Sequence, residues 1–454
     1  MKYPVYSEFK TNGAGHRSQL PVTWEMRRLK FIATCNDDAL SETTDPDYEL
    51  AYVDISSVSL EQGITTVEAM PFEKAPSRAR RLVKDGDTIV STVRTYLKAI
   101  AAIENPPENL VVSTGFAVIR SMPNVDSRYL AYALQSTNFI EAVVAHSSGV
   151  SYPAINPSEL TCLPVAYPES TDEQRHIADF LDWKTGQIDA LISRKQALLD
   201  RLKEKRLAVI THAVTRGLKP DAPLRDSGIS WLGKVPEHWT VKRLRFVCSR
   251  IEQGWSPQCD NIPAEDGFWG VMKVGCVNGD VFDANENKAL PTELTAAEEY
   301  ELQSDDILIS RANTRELLGS AAVVPVGVRG KLLLCDKLFR LRPTEEIEND
   351  FLTFLLRTPF SRFQYEREAT GASASMQNIG QGTIKNVIAI IPPKWEQKAI
   401  CCYIRAQLNK LDSLLSTTDA VITRLAEYRT TLITAATTGK IDLRNVQIPK
   451  LTEP

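Results

Sequence analysis

The sequence predicts an α+β chain built twice over: a mixed α/β region, a long helix, a second mixed α/β region and a second long helix. Three observations carry this. The stretch from Thr171 to Arg216 contains no proline, and its apolar residues fall at Ile177, Leu181, Ile188, Leu191, Ile192, Leu198, Leu199, Leu202, Val209 and Ile210. Steps of three, four and seven place these side chains on one stripe of a helix. The same pattern returns 223 residues later at Ile400, Ile404, Leu411, Leu414, Leu415, Val421, Ile422, Leu425, Leu432 and Ile433. Its polar punctuation returns too, with Glu173-Gln174 becoming Glu396-Gln397, Asp189 becoming Asp412 and Arg206 becoming Arg429. Finally, Pro21, Trp24, Leu29 and Phe31 match Pro236, Trp239, Leu244 and Phe246 at an offset of 215, so the duplicated unit is the whole half-chain.

Each element has its own warrant. Carboxylates (Asp172, Glu173, Asp179, Asp182) crowd the start of the first long helix and bases (Lys203, Lys205, Arg206, Arg216) its end, an order that complements the helix dipole. Thr171 or Asp172 is expected as N-cap, Gly217 with Pro220 as the stop, and Gly186 as the place where the helix bends or breaks. At 1.5 Å per residue such a helix would reach roughly 65 Å, longer than a small domain is wide. A stripe of ten apolar residues needs a partner, and the second copy supplies a matching one.

Between opening and long helix, each half reads as strand-rich. Residues 48–58, 86–93 and 115–121 are expected strands of the first half, 127–145 a helix, and 147–168 a loop and short strand. In the second half 270–277, 305–312 and 337–343 are the expected strands, 350–368 the helix, and 370–393 the loop and strand. Asp87 with Asp306, Ser91 with Ser310, and Gly149 with Gly371 keep corresponding places. The boundaries that follow are an N-terminal segment 1–25, a globular region 26–168, a helix 169–219, a linker 220–239, a second globular region 240–393, and a closing helix 394–454. Both tryptophans are read as packing anchors.

Composition bounds the chemistry. A net charge of −4 argues against a generic nucleic-acid coat but allows basic groups concentrated on one face. Residues 76–98 carry Arg78, Arg80, Arg81, Lys84, Arg94 and Lys98, and 311–342 carry seven more bases, while 260–306 holds twelve carboxylates and two lysines. A solvated mixed-charge surface accounts equally well for any single arginine. No run of 18 apolar residues suggests a membrane span, and Met-Lys-Tyr-Pro-Val does not begin a signal peptide. Eight cysteines without a CxxC pattern and five scattered histidines point to buried free thiols in a cytoplasmic protein, with no metal and no cofactor.

Several signatures are decoys. Gly228 to Val235 has phosphate-loop spacing but ends in Val where Ser or Thr must reach magnesium, and it follows a Pro- and Asp-rich linker. Asn105-Pro106-Pro107-Glu108 lacks the aromatic that would stack on a flipped base, and a turn is the better reading. Gly13-Ala14-Gly15 follows no strand, and no triad pattern stands out. No catalytic residue is nominated.

The order of elements, with residues 226–246 (DSGISWLGKVPEHWTVKRL and beyond), the helix starts STDEQRHIADFLD and PKWEQKAICCYI, and IDALISRKQALLDRLKEKR with its copy, resembles the specificity subunit of type I restriction-modification enzymes. The resemblance spans nearly the full chain and is weakest in the globular regions. It implies that 26–168 and 240–393 are target recognition domains and that the long helices pack as an antiparallel coiled coil through Ile188, Leu191, Leu198, Leu202, Leu411, Leu414, Val421 and Leu425. It further implies double-stranded DNA, two methyltransferase subunits and restriction (motor-nuclease) subunits as partners. Two like domains about an approximate two-fold axis would read two half-sites, and because they differ the site should be asymmetric. The DNA-facing candidates are Arg78, Arg80, Thr92, Arg94, Tyr96, Lys98, Ser151 and Tyr152 in the first half. In the second they are Gln253, Trp255, Ser256, Gln258, Arg311, Asn313, Thr314, Arg315, Ser373, Ser375, Gln377 and Asn378. Arg can take guanine, and Asn or Gln adenine, through paired hydrogen bonds. A self-contained adenine methyltransferase and an assembly scaffold that reads no sequence are the alternatives. The first is disfavoured by the missing cofactor and catalytic motifs, the second by the duplicated domains and local basic patches.

Overall fold

The computed structural model describes residues 3–11, 19–279, 281–373 and 376–449. The chain divides into two compact units, Met1–Ala197 with Thr418–Pro454, and Leu198–Thr417. Each contains one globular domain and a stretch of both long helices, which run Thr171–Arg216 and Lys394–Thr437.

The first domain rests on a four-stranded sheet ordered 100–102, 88–91, 116–121, 33–35, antiparallel throughout. A second sheet, ordered 68–71, 49–53, 110–113, 79–82, contains one parallel pair. Strands Trp24–Arg28 and Pro164–Pro168 pair antiparallel and carry the chain to the first long helix. The second domain repeats the plan with a sheet ordered 248–253, 338–343, 307–310, 321–323 and with Thr240–Arg243 paired to Ile388–Ile391.

Six expectations are corrected. The long helix passes unbroken through Gly186; the ~1 kcal/mol that glycine costs a helix is small against packing on both sides of it. Its cap is Ser170, whose hydroxyl accepts from the Glu173 amide. The stretch 127–145 is two helices, Ser127–Leu134 and Thr137–Ala145, because Ser136 stops one and caps the other by accepting from the Phe139 amide. Likewise 350–368 splits at Thr358-Pro359, a capping Thr with Pro at the first helical position. In the expected strand 270–277, only Gly270–Met272 is strand, and Val274–Val277 coils into a 3-10 turn. Of the cysteines, Cys248, Cys276, Cys335 and Cys401 are buried as expected, but Cys162 and Cys402 are exposed.

In each unit the two long helices run antiparallel. In the first, Asp189 pairs with Arg429 at 2.9 Å, while His176, earlier on its helix, reaches the Leu443 carbonyl beyond the other helix's end. In the second, Arg206 pairs with Asp412 at 3.1 Å, and Gly217 comes against Glu396. Ile188, Leu202 and Leu411 are buried, and Val421 and Leu425 half-buried. Leu191, Leu198 and Leu414 are exposed and lie off the seam. The ten-residue stripe was too wide: each precedes an apolar neighbour (Ile192, Leu199, Leu415), and successive residues sit about 100° apart, so only one of the two can face the partner. The structure turns the second inward in all three cases, with Leu199 buried and Ile192 and Leu415 half-buried.

Candidate nucleic-acid interface

In both domains a buried aspartate fixes the strand from which the candidate loop springs. Asp87, almost fully buried, accepts from the Lys84 amide and takes the Arg120 guanidinium in two 2.8 Å hydrogen bonds. Asp306 accepts from the Gln303 amide and holds Arg342 at 2.7 Å, with fully buried Arg340 at 3.5 Å. The hydrogen bonds to Asp87, and then to Asp38, hold the Arg120 guanidinium above its ordinary value against the opposing effect of burial. Four residues later along each strand a serine turns its hydroxyl onto the loop, Ser91 donating to the Val93 carbonyl at 2.6 Å and Ser310 to the Leu317 carbonyl at 2.8 Å. This explains why the Asp and Ser positions keep their correspondence.

The first domain's two nominated loops are brought together. Val93 bridges Ala154, the Ile155 amide donates to the Thr92 carbonyl, and the Thr95 and Ser147 hydroxyls lie 2.8 Å apart. Arg94 and Lys98, both exposed, flank a 3-10 turn in left-handed conformation, with φ of 49° and 52°. The Arg94 guanidinium lies over the Tyr152 ring, 4.9 Å from its centroid. Tyr96 and Ser151 are exposed beside them. Thr92 instead faces inward, its hydroxyl donating to the Gly115 carbonyl.

The second domain joins its loops with a small sheet. Ala312–Asn313 pairs with Met376–Asn378, which pairs with Thr370–Ser373. This places Arg311, Thr314 and Arg315 beside Gln377 and Asn378, while Ser375 lies outside the described residues and Ser373 is placed by its backbone alone. The early loop joins them: Ser256 accepts from the Asp336 amide, and Arg311 donates to the Asp336 carbonyl. Gln253 ends a strand opposite Phe339, Trp255 is half-buried, and Gln258 is exposed. Asn313 is drawn inward, its amide donating to Asn278 and accepting from the Thr314 amide.

Arg78 and Arg80 lie apart from these tips in their contacts. Arg78 pairs with Asp54 at 2.8 Å and donates to the Tyr52 hydroxyl, and Arg80 lies over the Phe72 ring. Burial would raise the Asp54 carboxyl, but the Tyr52 hydroxyl, the Ser56 amide and Arg78 hold it below its ordinary value. Other members of the basic runs likewise have partners within the chain: exposed Lys84 on Asp38, half-buried Arg329 on the Phe268 and Ala264 carbonyls, and buried Arg340 on Glu252.

Sequence reasoning missed the joint between helix and domain. Glu173 accepts from the Trp24 indole at 3.0 Å and from the Tyr6 hydroxyl at 2.7 Å; Glu396 accepts from the Trp239 indole at 3.0 Å and pairs with His238 at 2.7 Å. Gln174 donates to the Pro168 carbonyl and accepts from the Asp126 amide, at the cap of the domain helix. Gln397 does the same between Pro392 and Glu348. The signal was present, since Glu-Gln and Trp recur together, but two separate repeats do not announce that they touch.

Two domains, each drawing distant loops into one tip and each bolted to the start of a long helix, define a duplicated recognition scaffold. Comparison with known proteins agrees. Residues 236–424 match the family described as the type I restriction modification DNA specificity domain. The chain is 25% identical over 221 residues to the specificity subunit of the Escherichia coli type I restriction enzyme EcoEI, spanning 48% of this chain and 37% of that one. To the EcoKI specificity subunit of Escherichia coli strain K12 it is 22% identical over 328 residues, 71% of this chain and 68% of that one. The fold is that of a chain solved to explain complex assembly and conformational transition of the type I R-M system, with a TM-score of 0.66 and 23% identity over 93% of this chain and 99% of that one. Over residues 236–424 the chain thus matches the type I DNA specificity domain, and over a longer span it is similar to type I specificity subunits.

Proposed function

We propose that this chain reads an asymmetric, two-part site on double-stranded DNA, one part with each domain, and carries two methyltransferase subunits and restriction subunits to it. The chain itself performs no methyl transfer, ATP hydrolysis or cleavage. The observation that carries the reading is the closure of sequence-distant loops into one tip in each domain: Arg94, Tyr96 and Lys98 with Tyr152, and Arg311 and Arg315 with Gln377 and Asn378. Arginines and amides held on a fixed backbone are suited to base edges, where a guanidinium takes guanine and an amide takes adenine. The exposed flanks of the helix pairs are left for the methyltransferase subunits. No helix among the described residues is long and apolar enough to cross a membrane, in keeping with a cytoplasmic assembly.

Methylome sequencing of cells carrying the complete system tests this. One asymmetric, gapped adenine motif is expected. Grafting a foreign domain over 26–168 should change one half of that motif, and over 240–393 only the other. Lengthening one long helix should alter the gap and leave both halves intact. A graft that altered both halves, or a continuous palindrome, would refute the reading.

A further inference from the structure

The first domain's loop tip presents more apolar surface than hydrogen-bonded reading needs. Val150 is wholly exposed at its apex, and Tyr152, Tyr96 and Leu97 are 65%, 52% and 47% exposed. Single exposed apolar residues are ordinary; four on two loops tied to each other are not. The apex is held firmly. Gly149 takes φ +113°, where a Cβ would come within 3.1 Å of the Tyr152 carbonyl. Ser148 and Ala154 exchange both backbone hydrogen bonds at 2.9 Å, closing the turn below it. The Arg94 guanidinium stacked on Tyr152 sets a cation against the base of this apolar point.

A stiff, β-branched side chain at the apex of a closed turn, backed by aromatic rings and flanked by Arg94 and Lys98, has the shape and chemistry of a wedge for stacked bases. The cations would engage the phosphates on either side while the aliphatic tip replaces one base-stacking contact. We infer that Val150 inserts into the base stack of the first domain's half-site and unstacks one step, with Tyr152 and Tyr96 offering their faces to the exposed bases. This rests on the DNA-reading role proposed above. It adds a constraint on sequence that no hydrogen bond supplies: the wedged step should be a flexible pyrimidine–purine step, because those unstack most readily.

The test uses the assembled complex of this chain with its methyltransferase subunits and duplexes carrying the motif found by methylome sequencing. 2-Aminopurine is placed singly at each position of both half-sites. On binding, its fluorescence should rise several-fold at one step of the first domain's half-site, and Val150→Ser should abolish that rise while leaving the second half-site unchanged. An abasic position at that step should tighten wild-type binding about ten-fold, since unstacking is already done, and should not help Val150→Ser. Specific binding with no fluorescence response in the first half-site overturns the wedge, as does a Val150→Ser complex that responds like wild type. A Val150→Ser chain that fails to assemble with its methyltransferase subunits overturns it too, and assigns the tip to a protein contact. Loss of the parent reading looks different: no sequence-specific binding by the wild-type complex at all.

Discussion

At the start of the long helices the two halves of this chain are nearly superimposable in chemistry; at the loop tips they share almost nothing. Trp24 on Glu173 and Trp239 on Glu396 make the same 3.0 Å hydrogen bond, and Gln174 and Gln397 each tie a strand end to a helix cap. One tip is a 3-10 turn with Arg94 on Tyr152, the other a three-stranded patch around Asn378. Buried groups at the joint have one geometry that satisfies them, and any change orphans a polar atom. An exposed tip orphans nothing when it changes, so it is free to follow its ligand.

The sharpest way to break the likeness of the halves is at the buried aspartates. Asp306→Ala leaves Arg340, with no exposed surface, short of one of its two carboxylate partners, and takes from Arg342 its 2.7 Å ion pair. Removing a buried ion-pair partner typically costs about 3–5 kcal/mol, and that is the loss expected for the second unit. Asp87→Ala should cost less, because Arg120 is partly exposed and keeps Asp38 at 2.8 Å. Urea unfolding of the two variants followed by hydrogen exchange in each unit measures both; equal losses would mean that the two locks are equivalent after all.

The joint itself is the next target. Glu173→Ala orphans two donors, the Trp24 indole and the Tyr6 hydroxyl, which burial and the Glu173 carboxylate push far up so that it remains a donor at any accessible pH. Glu396→Ala orphans the Trp239 indole, while half-exposed His238 can turn to water. Each orphaned buried group costs about 1–3 kcal/mol, so both variants should melt lower and Glu173→Ala the lower of the two. Reversal of that order would show that Tyr6 contributes little.

This contrast also explains what could be read from the sequence. The duplication, the long helices and most strands were legible because periodicity and repeated punctuation are local patterns. The split of 127–145 was legible in principle from Ser136, since a capping residue outranks a continuing apolar run. What could not be read was which loops meet: Val93 and Ala154 touch across sixty-one residues, and no spacing rule announces a single bridge. For the same reason the basic runs misled, because sequence does not show that Arg78 faces Asp54 or that Arg340 lies within the fold.

One contact shows the two halves diverging at fixed geometry. Arg128 on the first domain's helix pairs with Asp182 on the long helix at 2.6 Å and with Asp179 at 2.7 Å. At the corresponding places of the second half, Asp350 on the domain helix pairs with Arg405 on the long helix, so the ion pair survives with its signs exchanged. A contact that tolerates exchange of charge is held by its position and not by the identity of either group. Arg128→Asp alone sets like charges against Asp182 and Asp179, whereas Arg128→Asp with Asp182→Arg rebuilds the pair in the second half's sense. All three side chains are 41–50% exposed, so solvent screens the interaction and a coupling of only about 0.2–1 kcal/mol is expected. It should shrink further in high salt. A double-mutant cycle by thermal melting at low and high ionic strength reads it. If the double variant is no more stable than Arg128→Asp, the Tyr132 hydroxyl on Asp182 at 2.8 Å, lost in the swap, matters more than the charges. The exchange seen in the second half would then have required Phe354, which has no hydroxyl, where Tyr132 stands in the first.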